Sequence, residues 1–304
     1  GDKTETVNGY CSPKDFETMM QLTYLTFTAP RRDDEAFASY KNRNKAALLN
    51  QEMNPNVAFS DSITFALQMG HPRTIRMKAD MIDNMDYNKI LAMYQDRYKD
   101  ASDFTFILVG NVDVESMKPL IAEYLGALPA INRKESFKDN KIEYRKGVYK
   151  NEFVREQETA KASNFVSFIG TCKYDLKNSI LQDMTCQIMD LVYTEKVRED
   201  EGGTYGVYVG GNLSKYPKEI AGIQIVFDTA PSKREKLMKI IFAEIERISK
   251  EGPSEANLNK VKEFMLKKHA EDLKENSYWM ESIDEYLFTG MNPIKDYEQT
   301  VNSI

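Results

Sequence analysis

The chain is poor in the residues that build metal sites and disulfide frameworks. Its 304 residues include two histidines and three cysteines. A zinc-binding peptidase helix needs two histidines about one turn apart with a glutamate in the same motif. His71 and His269 have no such neighbour, so we expect no metal ligand in this chain. Three widely spaced cysteines also exclude a disulfide framework.

Long apolar runs and an excess of positive charge are absent as well. No stretch approaches the run of about eighteen apolar residues that a membrane-spanning helix needs, so we expect no membrane span. The formal net charge is -6 and no basic cluster offsets it, which argues against nucleic acid as a partner. No signal peptide opens the chain, but the start at Gly1 resembles a cut end, so the compartment, periplasm or cytoplasm, stays open.

The sequence also lacks a nucleophile with an adjacent base. His71 precedes a proline at a helix end, and His269 lies in a lysine-rich helical segment that predicts a solvated face. Cys172 and Cys186 lie in apolar patterns, where a cysteine usually fills a core. The glycines within 202–206 precede a predicted strand, whereas a phosphate-binding loop opens a helix. We therefore expect no catalytic residue in this chain.

Hydrophobic periodicity predicts many helices and few strands. Apolar residues at helical spacing, bounded by capping residues and prolines, predict helices at about 12–27, 33–52, 56–69, 87–99, 114–125, 180–192 and 232–250. Short apolar runs predict strands at about 104–109, 147–154, 162–171, 204–213 and 220–228.

A charged stretch at about 129–147 predicts a domain boundary, which we place between residues 135 and 136. In 136–304 the strands come in pairs, which favours an antiparallel α+β sheet with helices packed on one face. The stretch 1–135 has one or two predicted strands for five helices. We expect it to be an incomplete α+β domain whose leading strands are missing.

Functional chemistry concentrates in the segment 197–210, VREDEGGTYGVYVG, which joins the long helix to the next strand. Arg198 and Tyr205 are strong hydrogen-bond donors that are not bases at neutral pH. The pair suits a carbonyl oxygen that gains negative charge during attack, and it would assist chemistry performed elsewhere. A purely structural role is the alternative, because arginine complements a helix C-terminus and Tyr205 shares a strand face with Val207 and Val209.

This segment resembles a motif in the C-terminal half of the pitrilysin and insulin-degrading enzyme family, the inverted-motif zinc peptidases. In that motif an arginine is followed by a glycine-containing turn and, seven positions after the arginine, by a tyrosine. Arg198 and Tyr205 match this spacing. The stretch 106–113, FILVGNVD, and the helical segment 21–37 are similar to other parts of the family, so the resemblance covers nearly the whole chain.

In that family each half consists of two related α+β domains, and the two halves face each other. The resemblance implies that 1–135 is a partial third domain and 136–304 the fourth. Zinc is then expected in the N-terminal half, held by an H-x-x-E-H motif and a further glutamate, with none in this chain. Arg198 and Tyr205 would bind the peptide substrate. The chain alone would be inactive without the zinc-binding half of the same polypeptide or a partner subunit.

Two other functions stay open. Some proteins of this fold are non-catalytic scaffold or partner subunits, and an H-x-x-E-H motif upstream of Gly1 or in a partner would distinguish the peptidase from the scaffold. The third hypothesis is an unrelated binding module. It predicts a fold other than paired antiparallel α+β domains.

Overall fold

A computed structural model of the chain describes residues 3–136, 138–199 and 206–304, except for the side chains of 197–199. The chain divides into two compact units. The first contains residues 1–65 and 70–142, and the second contains 66–69 and 143–304. The domain boundary that the sequence predicts, between residues 135 and 136, stays a prediction.

Helices dominate the chain before residue 142. Asp33, Asp86 and Asp113 each precede one of them, and their carboxylates accept hydrogen bonds from main-chain N–H groups of the first turn, which would otherwise lack partners. The helices are α1 Phe16–Thr28, α2 Asp34–Glu52, α3 Pro55–Gln68, α4 Ala79–Asp83, α5 Tyr87–Tyr98 and α6 Val114–Tyr124.

Aromatic side chains build much of the core of the first unit. Phe27 lies edge-on to Tyr98 and to Phe104, with ring centroids 5.1 and 4.8 Å apart. The strand predicted at 104–109 is wrong, because this stretch pairs with no other strand among the described residues. The prediction at 147–154 is wrong for the same reason. A β-ladder needs a partner backbone, and an apolar run does not specify one.

The second unit has a three-stranded antiparallel sheet with the strand order β1-β3-β2. Its strands are β1 Ala162–Thr171, β2 Val207–Ser214 and β3 Ile220–Thr229. A helix, α7 Leu176–Tyr193, and a π-helical turn, Thr194–Glu199, come between β1 and β2 in the chain. Four helices follow β3, namely α8 Arg234–Glu251, α9 Glu255–Asp272, α10 Asn276–Thr289 and α11 Tyr297–Ser303.

Alternation along the strands gives the sheet two different faces. Side chains of one face join α7 and α8 in a buried cluster that includes Tyr193, Val207, Val209, Ile225, Phe227, Leu237 and Ile241. The strand residues that alternate with these core residues point to the opposite side of the sheet, which we call the distal face. Helix α7 also packs on α9 and α11 through a second cluster. The predicted antiparallel sheet with helices packed on one face is therefore confirmed.

His269 corrects one interpretation of the sequence. It does not lie on a solvated helix face, since only 4% of it is exposed. Its Nδ1 lies 2.9 Å from Oη of Tyr278, and its ring stacks on Tyr297 with the centroids 4.2 Å apart. Val261, Met265 and His269 follow one another at four-residue spacing, so they share one face of α9, the face that packs on α7 and α11.

Candidate functional site

The segment that carries Arg198 and Tyr205 lies between α7 and β2. The backbone of Arg198 belongs to the π-helical turn Thr194–Glu199, but its side chain lies outside the described residues. Tyr205 lies wholly outside them. The structure therefore describes the two supports of the predicted site, the end of α7 and the beginning of β2, and the placement of the two donors stays a prediction.

The first support is a cluster of charges around Glu244 of α8, which is only 5% exposed. Its Oε1 accepts a hydrogen bond from Nζ of Lys196 in the turn, and its Oε2 accepts one from Nε of Arg247 at 2.9 Å. One residue before the turn, the fully buried Tyr193 donates its hydroxyl to the carbonyl of Ile241 at 3.2 Å. The turn is thus tied to α8 by side chains on both sides of its first residue.

The electrostatics of this cluster favour the ionised carboxylate. Burial raises the pKa of Glu244, but the hydrogen bonds from Lys196 and Arg247 outweigh that effect and hold the pKa below its ordinary value. Burial, with a smaller contribution from Glu244, raises the pKa of Tyr193, so its phenol stays a donor. At neutral pH the carboxylate therefore holds both cationic partners, one of them in the turn.

The second support is the beginning of β2. Gly206 has a φ of +152°, which side chains rarely adopt, and Val207 then enters the core. Tyr208 points to the distal face, where it is 66% exposed. A Cβ atom on Gly210 would lie 2.7 Å from Oη of Tyr208, so the ring of Tyr208 lies along the strand over that glycine.

Sequence reasoning missed Tyr208 and Glu244 as candidates. The alternation of Val207 and Val209 was a sufficient signal for Tyr208, since a residue between two core positions of a strand points the other way. No comparable signal marks Glu244, because its partner Lys196 is 48 positions away in the sequence.

Comparison with known proteins agrees with this architecture. A family model described as "Peptidase M16 inactive domain" matches residues 84–265, which is more than half of the chain. The chain belongs to the peptidase M16 family. The resemblance to the C-terminal half of a pitrilysin-type zinc peptidase is thereby confirmed.

Two curated proteins are similar over most of this chain. The zinc protease PQQL-like of Arabidopsis thaliana is 25% identical over 289 residues, covering 88% of this chain and 30% of that protein. The probable zinc protease PqqL of Haemophilus influenzae is 22% identical over 301 residues, covering 95% of this chain and 31% of that protein. The chain thus spans about a third of the length of these relatives.

Solved structures share the fold. The periplasmic protease PqqL from Escherichia coli matches 96% of this chain, and 32% of its own chain, with a TM-score of 0.77 at 18% identity. At that identity the likeness concerns the fold alone. It contradicts the hypothesis of an unrelated binding module, which required a different fold.

The described residues do not fit a zinc site. Nδ1 of His71 accepts a hydrogen bond from the main-chain N–H of Arg73 at 3.2 Å, and His269 is enclosed by two tyrosines. Among the side chains described, those of 3–136, 138–196 and 206–304, no three of His, Cys, Asp or Glu come together as metal ligands. Burial raises the pKa of Cys186 to about 11, so its thiol is not a nucleophile at neutral pH. No helix in the described ranges is long and apolar enough to cross a bilayer.

Proposed function

We propose that this chain forms the substrate-gripping half of a zinc-dependent endopeptidase. Arg198 and Tyr205 donate hydrogen bonds to the carbonyl of the peptide bond under attack. A guanidinium and a phenol both stabilise negative charge that develops on this oxygen. Membership of the peptidase M16 family and the seven-residue spacing of the two donors support this assignment.

The observation that carries the proposal is the tie between the turn and α8. Donors contribute to catalysis only if they are held in place before the reaction, since reorganising them during it costs free energy. Lys196 stands two residues before Arg198, and its ammonium group binds the buried Glu244. The turn that carries Arg198 is therefore anchored to α8 two residues before the arginine.

The proposal divides the chemistry between two halves. The two donors provide no attacking water and no base, so zinc and the glutamate that activates its water belong to the N-terminal half of the polypeptide or to a partner subunit. The peptide binds between that half and this one. This chain by itself binds no zinc and cleaves no peptide.

The test uses the complete protein and the variants Arg198→Ala and Tyr205→Phe. Each is expected to lower kcat/KM for a peptide substrate roughly tenfold to a thousandfold, the effect of losing one donor to an oxyanion. Zinc content, measured by atomic emission, stays unchanged. The matched controls are Arg43→Ala and Tyr10→Phe at exposed positions of the first unit, which leave kcat/KM unchanged.

Full activity in both site variants would refute the proposal. A complete protein without peptidase activity, with no H-x-x-E-H motif in its own chain or in a partner, would favour the non-catalytic scaffold instead.

A further inference from the structure

Small side chains leave a depression on the distal face of the sheet. The register places Ser167 of β1 and Gly210 of β2 on either side of Gln224, and Asn212 of β2 opposite Gly222. A Cβ atom on Gly222 would lie 2.7 Å from Oδ1 of Asn212, so the amide of Asn212 lies over that glycine. The result is a cavity of about 40 Å³, rimmed by Leu67 and Tyr144 of the same unit.

The walls of the cavity are uncharged and combine polar side chains with the apolar ones of Ile169 and Ile220. The side chains of Ser167, Asn212 and Gln224 line it, and none of them hydrogen-bonds to another group within the ranges that the structure describes. No Asp, Glu, Lys or Arg side chain among the described residues lines it. A charged guest would lose water without gaining a counter-charge, whereas a hydroxyl or carboxamide would find both donors and acceptors.

The volume of the cavity favours a small guest. A cavity needs about 10–15 Å³ of volume for each water-sized atom that it holds. The cavity of about 40 Å³ therefore holds roughly three or four non-hydrogen atoms. A carboxamide has three, which makes the end of a glutamine or asparagine side chain a suitable guest.

The position of the cavity along β2 relates it to the segment 197–210, which contains Arg198 and Tyr205. Asn212 lies six residues beyond Gly206 on β2, and at about 3.4 Å per residue the two are roughly 20 Å apart. The exposed ring of Tyr208 lies between them on the same face of the strand. An extended peptide that runs from Gly206 along β2 would cross this ring and reach the cavity after about six residues.

We propose that the cavity between Asn212 and Gln224 is a specificity site that binds an uncharged polar side chain of the peptide substrate, best a carboxamide, about six residues from the gripped carbonyl. This inference rests on the proposed function of the chain as a peptide-gripping half. It adds a substrate preference at a point distant from the cleaved bond.

The experiment measures binding to the complete protein after zinc has been removed with a chelator, so that turnover does not interfere. Fluorescein-labelled peptides carry either Gln or Leu at one position, from four to eight residues on either side of the cleavage site. Anisotropy should give a Kd roughly three- to tenfold lower for Gln than for Leu at a position about six residues away on one side, the effect of one or two neutral hydrogen bonds.

Two variants assign that preference to the cavity. Gln224→Leu and Asn212→Leu both replace exposed side chains with apolar ones of similar size, and each should reduce the ratio of the Leu and Gln dissociation constants toward one. Gln299→Leu, at an exposed position of α11, is the matched control and keeps the ratio of the wild-type protein. Urea midpoints confirm that all three variants fold.

The proposal is overturned if the wild-type protein shows no preference for Gln at any position, or if the preference persists when Gln224 and Asn212 are both Leu. The kinetic effect of Arg198→Ala, measured with zinc present, keeps the two proposals apart. A tenfold loss of kcat/KM without any Gln preference refutes only the cavity. A Gln preference that depends on Gln224, with full activity in Arg198→Ala, refutes only the role of the arginine.

Discussion

Replacing Glu244 by Gln tests whether the turn is held by its charge cluster. The substitution keeps the size of the side chain but removes the charge that Lys196 and Arg247 share. Hydrogen bonds to charged groups contribute about 1.5–3 kcal/mol each. The side chains of Lys196 and Arg247 are 45% and 34% exposed, so both regain water when the carboxylate is lost. We therefore expect the free energy of unfolding of the second unit to fall by about 1–3 kcal/mol at pH 7.

The pH dependence has a defined sign. The pKa of Glu244 is lower in the folded protein than its ordinary value of 4.5, so the stabilisation is complete above pH 4.5. It is lost as the pH falls from there through the folded pKa, because the unfolded chain takes up the proton first. The difference in the free energy of unfolding between the wild-type protein and Glu244→Gln should accordingly become smaller below pH 4.5.

Trp279 provides the assay. It is the only tryptophan of the chain and lies in α10, so its fluorescence during urea unfolding reports on the second unit. Glu246→Gln is the matched control on the same helix, since Glu246 pairs with Lys250 at the surface and should change stability by less than about 0.5 kcal/mol. A double-mutant cycle with Lys196→Met should give a coupling energy above about 0.5 kcal/mol. Equal urea midpoints for Glu244→Gln and Glu246→Gln, with no coupling to Lys196, would refute the reasoning.

Two further predictions concern buried titrating groups. Hydrogen bonds from Ser102 and from the main-chain N–H groups of Ile131 and Arg133 outweigh burial and hold the pKa of Asp100 well below 3.8. At pH 7, Asp100→Asn should therefore lower the urea midpoint that circular dichroism follows. This difference in midpoint should shrink as the pH falls below 3.8. Burial lowers the pKa of His269 below 6.5, and this effect exceeds the opposing effect of the Glu298 and Asp272 charges. The stability of the wild-type protein should therefore fall as the pH drops below 6.5. In thermal melts from pH 5 to 8, His269→Gln should lack this pH-dependent loss of stability.

The helices could be predicted because their signals are local. Asp33, Asp86 and Asp113 mark helix starts through bonds to residues two or three positions away, so the sequence alone contains both partners. No local signal of this kind decides the conformation of residues 104–109. Their apolar pattern is equally suited to a strand and to an extended segment that partly buries Phe104, and only the presence of a partner strand distinguishes the two.

The candidate site shows the same division. The spacing of Arg198 and Tyr205 is local, so a sequence motif is enough to identify them as candidates. The tie between Lys196 and Glu244 joins residues far apart in the sequence, and it depends on how α7 and α8 pack on one sheet. The burial of His269 could have been predicted from nearby residues, because its four-residue spacing from Met265 and Val261 indicates a shared helix face.

The strand β2 connects the proposed grip to the proposed specificity site, and its geometry fixes the relation between them. Successive side chains alternate between the two faces, so Tyr208 and Asn212 share the distal face only in the present register with β3. A shift of one residue would turn Val209 outward and bury Tyr208. The buried positions Val207 and Val209 oppose such a shift because they fill the core beside α7 and α8. On the proposed function, the core packing of β2 therefore sets the distance of about six residues between the cleaved bond and the preferred side chain.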